Sequence, residues 1–327
     1  MSSATRDIAI VGAGIAGLSA GRVLQDAGHR VQVFDKSSST GGRLCTRRGE
    51  GWQADHGAQY FTARHRLFAA ELQRWTDAGA AALWQPRLVT LGGDGQHTLN
   101  PAVQRYVGAP RMGAPAKLLG TGLTVHAQST INCLQRLNGR WQLQSAEQGL
   151  LPAGFDTVLL AQPAAQAATL LGTTQSPLAA LAHSVTMRGC WALMLRFSAP
   201  VAVNFDAAFI NKGALGWIAR DSHKPGRINQ ETWIAQATAV WSEAHIEATA
   251  DEAPALLLPE FSDWTGAVPD QTSAHRWRYA DCEQPANLGC VWSADEQLGV
   301  CGDWLNGGRV EGAWLSGRQL ALEVLGG

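Results

Sequence analysis

Glycine stands at the first, third and sixth positions of Gly12-Ala13-Gly14-Ile15-Ala16-Gly17, directly after Asp7-Ile8-Ala9-Ile10-Val11, which reads as a short buried strand. This is the pattern of a strand, a tight turn and a helix that together hold a dinucleotide. Gly12 permits the turn, Gly14 lets backbone approach a pyrophosphate, and Gly17 lets the helix lie close on the sheet. The helix start then offers unpaired N–H groups and the positive end of its dipole to the phosphates. Apolar Ile15, Leu18, Val23 and Leu24 give that helix a buried side, and Arg30 to Asp35 reads as the next strand. Asp35 closes it, where a carboxylate accepts from ribose hydroxyls and disfavours a 2′-phosphate, which favours FAD or NAD over NADP.

Further chemistry-bearing residues separate FAD from NAD. Gly41-Gly42-Arg43 follows the second strand, and Asp55-His56-Gly57-Ala58-Gln59-Tyr60-Phe61 comes soon after. Near the other end are Cys301-Gly302-Asp303 and Gly307-Gly308-Arg309-Val310-Glu311-Gly312-Ala313-Trp314-Leu315-Ser316-Gly317. A cofactor longer than NAD needs such extra anchors: an arginine near the pyrophosphate, an acid for ribityl hydroxyls and a helix start beneath the flavin ring.

Taken together, these motifs resemble the flavin amine oxidase superfamily, with an FAD fold of p-hydroxybenzoate-hydroxylase type. Gly41-Gly42-Arg43, Asp55 to Thr62 and His275-Arg276-Trp277-Arg278-Tyr279 resemble the renalase family within it, and the length suits a bacterial member. The resemblance implies non-covalent FAD, since no Ser-Gly-Gly-Cys stretch occurs. It implies cofactor contacts at Gly12, Ala13, Gly14, Ala16, Asp35, Lys36, Arg43, Gly57, Ala58, Gln59, Tyr60, Asp303 and Val310. Gly17, Gly42 and His56 complete the expected cofactor set. A flavin-facing lysine is frequent in the superfamily, but the sequence singles out none of Lys36, Lys117, Lys212 and Lys224.

Renalase-like activity is oxidation of 2- and 6-dihydroNAD(P) to NAD(P)+ by hydride transfer to flavin N5, with O2 or another acceptor reoxidising the flavin. Such chemistry asks the protein for stacking and orientation more than for acid–base help. Thirteen tryptophans and the lack of a second G-x-G-x-x-G suit a visiting dinucleotide substrate. Two readings stand for each expected substrate residue. His245 either holds the nicotinamide carboxamide or caps the core. Trp277 and Tyr279 either line the site or fill the core, and Arg64 either draws the substrate's pyrophosphate or is solvated. Tyr60 lies beside the cofactor motif and is expected at the site. The competing functions are oxidation of a small amine and non-catalytic FAD binding.

The elements that must position these residues are of two textures. Helical stripes are expected over His65–Ala82, Ala114–Leu119, Asp251–Phe261 and Val310–Leu325. Short strands are expected in 83–109, and strands over Thr124–Leu134 and Gly139–Ser145, joined at Asn138-Gly139. Others are Phe155–Ala161, Trp191–Phe197, Ala208–Ile218, Glu231–Val240 and Val300-Cys301. The predicted fold is α/β (α+β): a Rossmann-like FAD-binding domain from 1–63, 110–172 and 272–327, with an inserted antiparallel-sheet-plus-helix substrate domain from 64–109 and 173–271.

Composition narrows the function classes. The net charge of −1 gives no electrostatic reason to expect nucleic acid or an anionic membrane. Six cysteines, none in C-x-x-C spacing, point to reduced thiols rather than a disulfide framework or a metal site. No apolar run reaches the length of a membrane span, and the early first strand leaves no room for a secretory signal, so a cytoplasmic protein is expected.

Overall fold

A computed structural model describes residues 4–93, 97–98, 103–228 and 230–326. Strand β1 (Asp7–Val11) lies at the centre of a six-stranded sheet, flanked by β2 (Arg30–Phe34) on one side and Thr157–Leu160 on the other, all parallel. Thr124–His126 extends the sheet beyond β2, and Leu298–Val300 and the antiparallel Val291–Ser293 complete the opposite edge. Because successive side chains of a strand alternate in direction, Ile8 and Ile10 enter one core and Ala9 and Val11 another. Both faces are covered, which is why β1 is apolar from Ile8 to Val11.

On the first face lie helix α1 (Ile15–Asp26) and the final helix (Val310–Leu325). Small residues let them approach. A Cβ on Gly317 would come closer than 3.0 Å to the Ala16 carbonyl, and Ser19 Oγ donates to the Trp314 carbonyl at 2.9 Å. The other face carries helix Ala164–Leu171 and an antiparallel three-stranded sheet of Ile131–Leu137, Arg140–Ser145 and Gly149–Phe155.

A seven-stranded sheet forms the second layer system. Its order is Gln271–Cys282, Met187–Arg196, Thr232–Ala237, Leu215–Arg220, Ala207–Ile210, Leu88–Leu91 and His97–Thr98. Its pairings are antiparallel, except the parallel one between Ala207–Ile210 and Leu88–Leu91. Helix Glu252–Thr265 buries Ala253, Leu257 and Phe261 against it.

The expected α/β architecture is present, with local corrections. The helix expected over His65–Ala82 spans Arg66–Asp77, and Ala81–Trp84 is a strand paired with Arg105–Gly108. Thr124–Leu134 is two strands in different sheets, separated by Gln128 at φ 51°. Phe155–Ala161 is likewise divided, its ends lying in different sheets. Ala208–Ile218 is a hairpin turning at Gly213, φ 97°. Glu231–Val240 ends early, because Thr238 accepts from the Trp241 N–H and caps a short helix, Ala239–Ala244. Gln271–Cys282 pairs within the second sheet, so this sheet reaches past the 271/272 boundary expected from sequence.

Candidate functional site

The glycine motifs form one cradle. Gly12 adopts φ 112° in the turn between β1 and α1, and its N–H donates to the Phe34 carbonyl at 2.8 Å, tying the turn to the end of β2. Gly14 caps α1 with no side-chain hydrogen bond, and a Cβ built on it would meet nothing within 4 Å. Gly41 bridges Gly14, and its N–H donates to the Ala13 carbonyl at 2.8 Å. Gly42 is left-handed at φ 56°, with its Cβ position 3.7 Å from the Gly14 Cα. The second glycine pair therefore seats directly on the first, beside a helix start with no side-chain cap, whose N–H groups suit an anion. Gly17 serves packing instead: a Cβ there would come closer than 3.0 Å to the Gly12 carbonyl.

Asp35 belongs to the same cradle. Its Oδ2 accepts from the Ala13 N–H at 2.6 Å and its Oδ1 from the Ser37 N–H at 2.7 Å, so the carboxylate ties the glycine turn to the end of β2. Lys36 beside it is exposed. Arg43, expected near a pyrophosphate, and Asp303, expected at ribityl hydroxyls, are held by each other. Two N–O distances of 2.6 and 3.0 Å make a bidentate pair, and Arg43 also donates to the Ala280 carbonyl at 2.9 Å. Val310 opens the final helix, whose Ser316 Oγ accepts from the Gly302 N–H at 2.9 Å and so fixes the Gly302-Asp303 turn.

Beyond the cradle a cavity of about 210 Å³ is lined by Gly57, Ala58, Gln59, Tyr60, Phe209, Gly216, Trp217 and Gln236. Its aromatic wall is continuous with Trp84. Trp217 lies 5.7 Å from Tyr60 and 4.8 Å from Phe209 between ring centroids, and Trp84 lies 6.3 Å from Tyr60. No lining residue is acidic, and the guanidinium of Arg105 lies over Tyr60 at 5.4 Å. A larger groove of about 540 Å³, at Phe197–Pro200, Ser222, His223, Gln230 and Glu231, contains none of the expected site residues.

Two clusters brace the segment that carries this cavity wall. In the first, His56 stacks on Trp277 at 5.4 Å and meets His275 edge-on at 4.8 Å, while Trp277 Nε1 donates to the His56 carbonyl at 2.8 Å. Burial, then His275 and Arg47, depress the His56 pKa to about 4. Burial and Arg47 do the same for His275, to about 4, so both rings are neutral at pH 7.

In the second cluster, Asp55, Asp221, Lys224 and Arg227 all have fully buried side chains. Arg227 reaches Asp55 at 2.6 Å, Lys224 reaches it at 3.2 Å, and Thr46 Oγ1 donates to it at 2.6 Å. Burial pushes the Asp55 pKa up, but Lys224 and Arg227 more than offset this, and it lies below the usual carboxylate range.

Tyr60 and Gly57 to Gln59 are therefore brought to the cavity, with His56 and Trp277 directly behind. His275 and Tyr279 lie with Trp277 on strand Gln271–Cys282. Arg64 is exposed, and its N–H donates to Glu311 at the start of the final helix. His245 ends the short helix Ala239–Ala244, stacked on Trp241 at 4.1 Å, and does not line the cavity. Sequence reasoning missed Phe209, Trp217, Gln236 and the buried charges Asp221, Lys224 and Arg227. A signal for Asp221 and Lys224 existed in the spacing Asp221-Ser222-His223-Lys224, which stacks acid and base one turn apart.

An NAD(P)-binding Rossmann-like domain model matches residues 10–72. An L-amino-acid oxidase of Siganus canaliculatus is 51% identical over 63 residues, 19% of this chain and 12% of that protein. One from Echis ocellatus is 41% identical over 76 residues, 23% of this chain and 15% of that one. The matched stretches thus span a small part of these oxidases. A putative protoporphyrinogen oxidase structure from Exiguobacterium sp. 255-15 superposes with TM-score 0.80 at 12% identity, covering 99% of this chain and 100% of that one. A putrescine oxidase variant with redesigned cofactor binding gives 0.74 at 12% identity, covering 98% and 99%. The chain carries a Rossmann-like dinucleotide-binding domain and has, over nearly its whole length, the fold of the protoporphyrinogen and putrescine oxidase structures.

Proposed function

We propose that this protein is an FAD-dependent oxidoreductase that oxidises 2- and 6-dihydroNAD(P) to NAD(P)+. The cradle fits the cofactor. The open space at Gly14 and the α1 start, free of a side-chain cap, suit a pyrophosphate, and Asp35 beside them suits a ribose. Binding is non-covalent, and when bound the flavin supplies the hydride acceptor.

The observation that carries the substrate assignment is the wall of the cavity. Tyr60, Phe209 and Trp217 offer faces for a flat ring, and no lining residue supplies a counter-charge for an ammonium. Asp55, the nearby acid, is committed to Lys224 and Arg227. Gln236 donates through Nε2 to the Gly57 carbonyl at 2.8 Å, which leaves its Oε1 to accept from a nicotinamide carboxamide. Neutral His56 and His275 add no charge near the site at pH 7.

Anaerobic mixing of the flavin-loaded protein with each reductant tests the reading. Pure 6-dihydroNAD and 2-dihydroNAD should bleach the 450 nm band far faster than 4-dihydro NADH, putrescine or L-amino acids. Faster bleaching by an amine would replace the substrate assignment with amine oxidation. Bleaching by none of them would leave a non-catalytic FAD-binding protein.

A further inference from the structure

We propose that Lys224 is a positioning residue, holding Gln59 and through it the Gly57–Tyr60 wall of the cavity, with Asp55, Asp221 and Arg227 as its charge-balancing frame. The proposal rests on the reading that this cavity is the reaction site.

Gln59 is fully engaged. Its Oε1 accepts from Lys224 Nζ at 3.2 Å and from Trp217 Nε1 at 3.4 Å, and its Nε2 donates to the carbonyls of Asp55 and of Gly57. An ammonium and an indole N–H can only donate, so they fix which end of the Gln59 amide faces them. The opposite end then pins two carbonyls of the segment that lines the cavity. Without the ammonium, the longer Trp217 bond alone holds the oxygen end of that amide.

The ammonium needs its frame. Lys224 and the three other fully buried charged side chains, Asp55, Asp221 and Arg227, form a balanced set of two charges of each sign, and Lys224 also rests 5.5 Å above the Trp84 ring. Lys224 Nζ lies 2.8 Å from Asp221 Oδ1, close enough for an ion pair but without hydrogen-bond alignment. Arg227 Nε stands 3.9 Å from Asp221 Oδ2. Asp221 therefore contributes charge rather than a well-formed bond, and burial followed by Asp55 pushes its pKa up to about 6. Buried ion pairs seldom stabilise relative to apolar packing, so a set this complete is better accounted for by the geometry that it imposes.

Lys224→Met and the balanced double variant Lys224→Met/Asp221→Asn separate charge from position. The single variant leaves an excess buried negative charge and should melt lower than the double variant, whose remaining pair is Asp55 with Arg227. The readout of position is the Trp217 indole N–H resonance of ¹⁵N-tryptophan-labelled holoenzyme, identified by Trp217→Phe. In the double variant this resonance should shift, and flavin reduction by 6-dihydroNAD should slow on the order of tenfold or more, as for a misplaced wall. Asp221→Asn alone, with Lys224 and Gln59 in place, should leave the resonance where it is. An unchanged resonance in the double variant overturns the proposal, as does a wild-type reduction rate or a melting temperature no higher than that of Lys224→Met. If no dihydronicotinamide reduces the wild-type flavin, the functional reading fails, while the resonance and melting data still decide the role of Lys224.

Discussion

Gly14 and Gly17 belong to one motif yet should fail in opposite ways when replaced by alanine. Gly14 has φ −75° and ψ 178°, which alanine adopts freely, and its Cβ position is open. In the cofactor-free protein the loss of a glycine helix cap, a few tenths to about 1 kcal/mol, opposes the entropy gained from the stiffer unfolded chain, about 0.4–1 kcal/mol. The net change should stay within about 0.5 kcal/mol. On the proposed reading of the cradle, the methyl should stand in the phosphate's approach when FAD is present. Ligand at 100 times its dissociation constant stabilises by about 2.7 kcal/mol, and a hundredfold weaker affinity reduces this to about 0.4 kcal/mol. Gly17→Ala instead drives a methyl closer than 3.0 Å to the Gly12 carbonyl, where only backbone can move. Overpacking of this kind costs about 1–3 kcal/mol even without cofactor, partly offset by about 1 kcal/mol of helix propensity. Urea unfolding of both variants with and without FAD, together with the 450/280 nm absorbance ratio, tests the division. A Gly14→Ala protein that keeps wild-type FAD content and ligand stabilisation would refute the assignment of that open space to a phosphate.

Asp35→Ala should weaken FAD binding by about 1.5–3 kcal/mol and Asp35→Asn by less, since one carbonyl oxygen remains to accept from Ala13 or Ser37; equal dissociation constants would contradict this. Folded-state pKa values near 4 for His56 and His275 lie below the unfolded value of 6.5, so between these limits the unfolded chain binds more protons and stability falls as pH drops. For His56 alone the loss from pH 7 to pH 5 should be on the order of 2 kcal/mol, and His56→Asn should flatten the pH dependence of the urea midpoint by that amount. Asp221 runs the other way. Its raised pKa favours the folded state at low pH, so Asp221→Asn should gain on the wild type as pH rises from about 4 towards 7 in the same assay. Lys224→Met should destabilise by about 3–5 kcal/mol at pH 7, the cost of a buried acid losing its partner, measured by urea midpoint.

The sheet that carries the cradle was legible because its signals are local. An apolar run buried on both faces, three spaced glycines and an acid closing the next strand all lie within thirty residues, and each has one structural meaning. The second sheet was legible only as a texture. Ala208–Ile218 reads as one alternating run, and nothing in the alternation says that Asn211-Lys212-Gly213 reverses it. Thr238 reads equally as a strand residue or a helix cap, and tertiary packing of Ser242 onto the Trp191 N–H favours the cap. Pairing partners such as Leu88–Leu91 with Ala207–Ile210, more than a hundred residues apart, leave no trace in either segment.

The site divides along the same line. Asp55 and Asp303 both stand in motifs that suggest cofactor ligands, but a carboxylate near a ligand can serve it or hold the scaffold, and only the partners decide. Asp303 meets Arg43 and Asp55 meets Lys224 and Arg227, so in each case the partner comes from a distant segment. The same logic singles out one lysine among the four. Lys36, Lys117 and Lys212 are exposed, whereas Lys224 is buried and its ammonium faces Asp55, Asp221 and Gln59. It stands behind the cavity wall with the Gln59 amide between them. A lysine so placed acts on the cavity through the orientation of that amide, and its charge is answered by carboxylates before any ligand arrives.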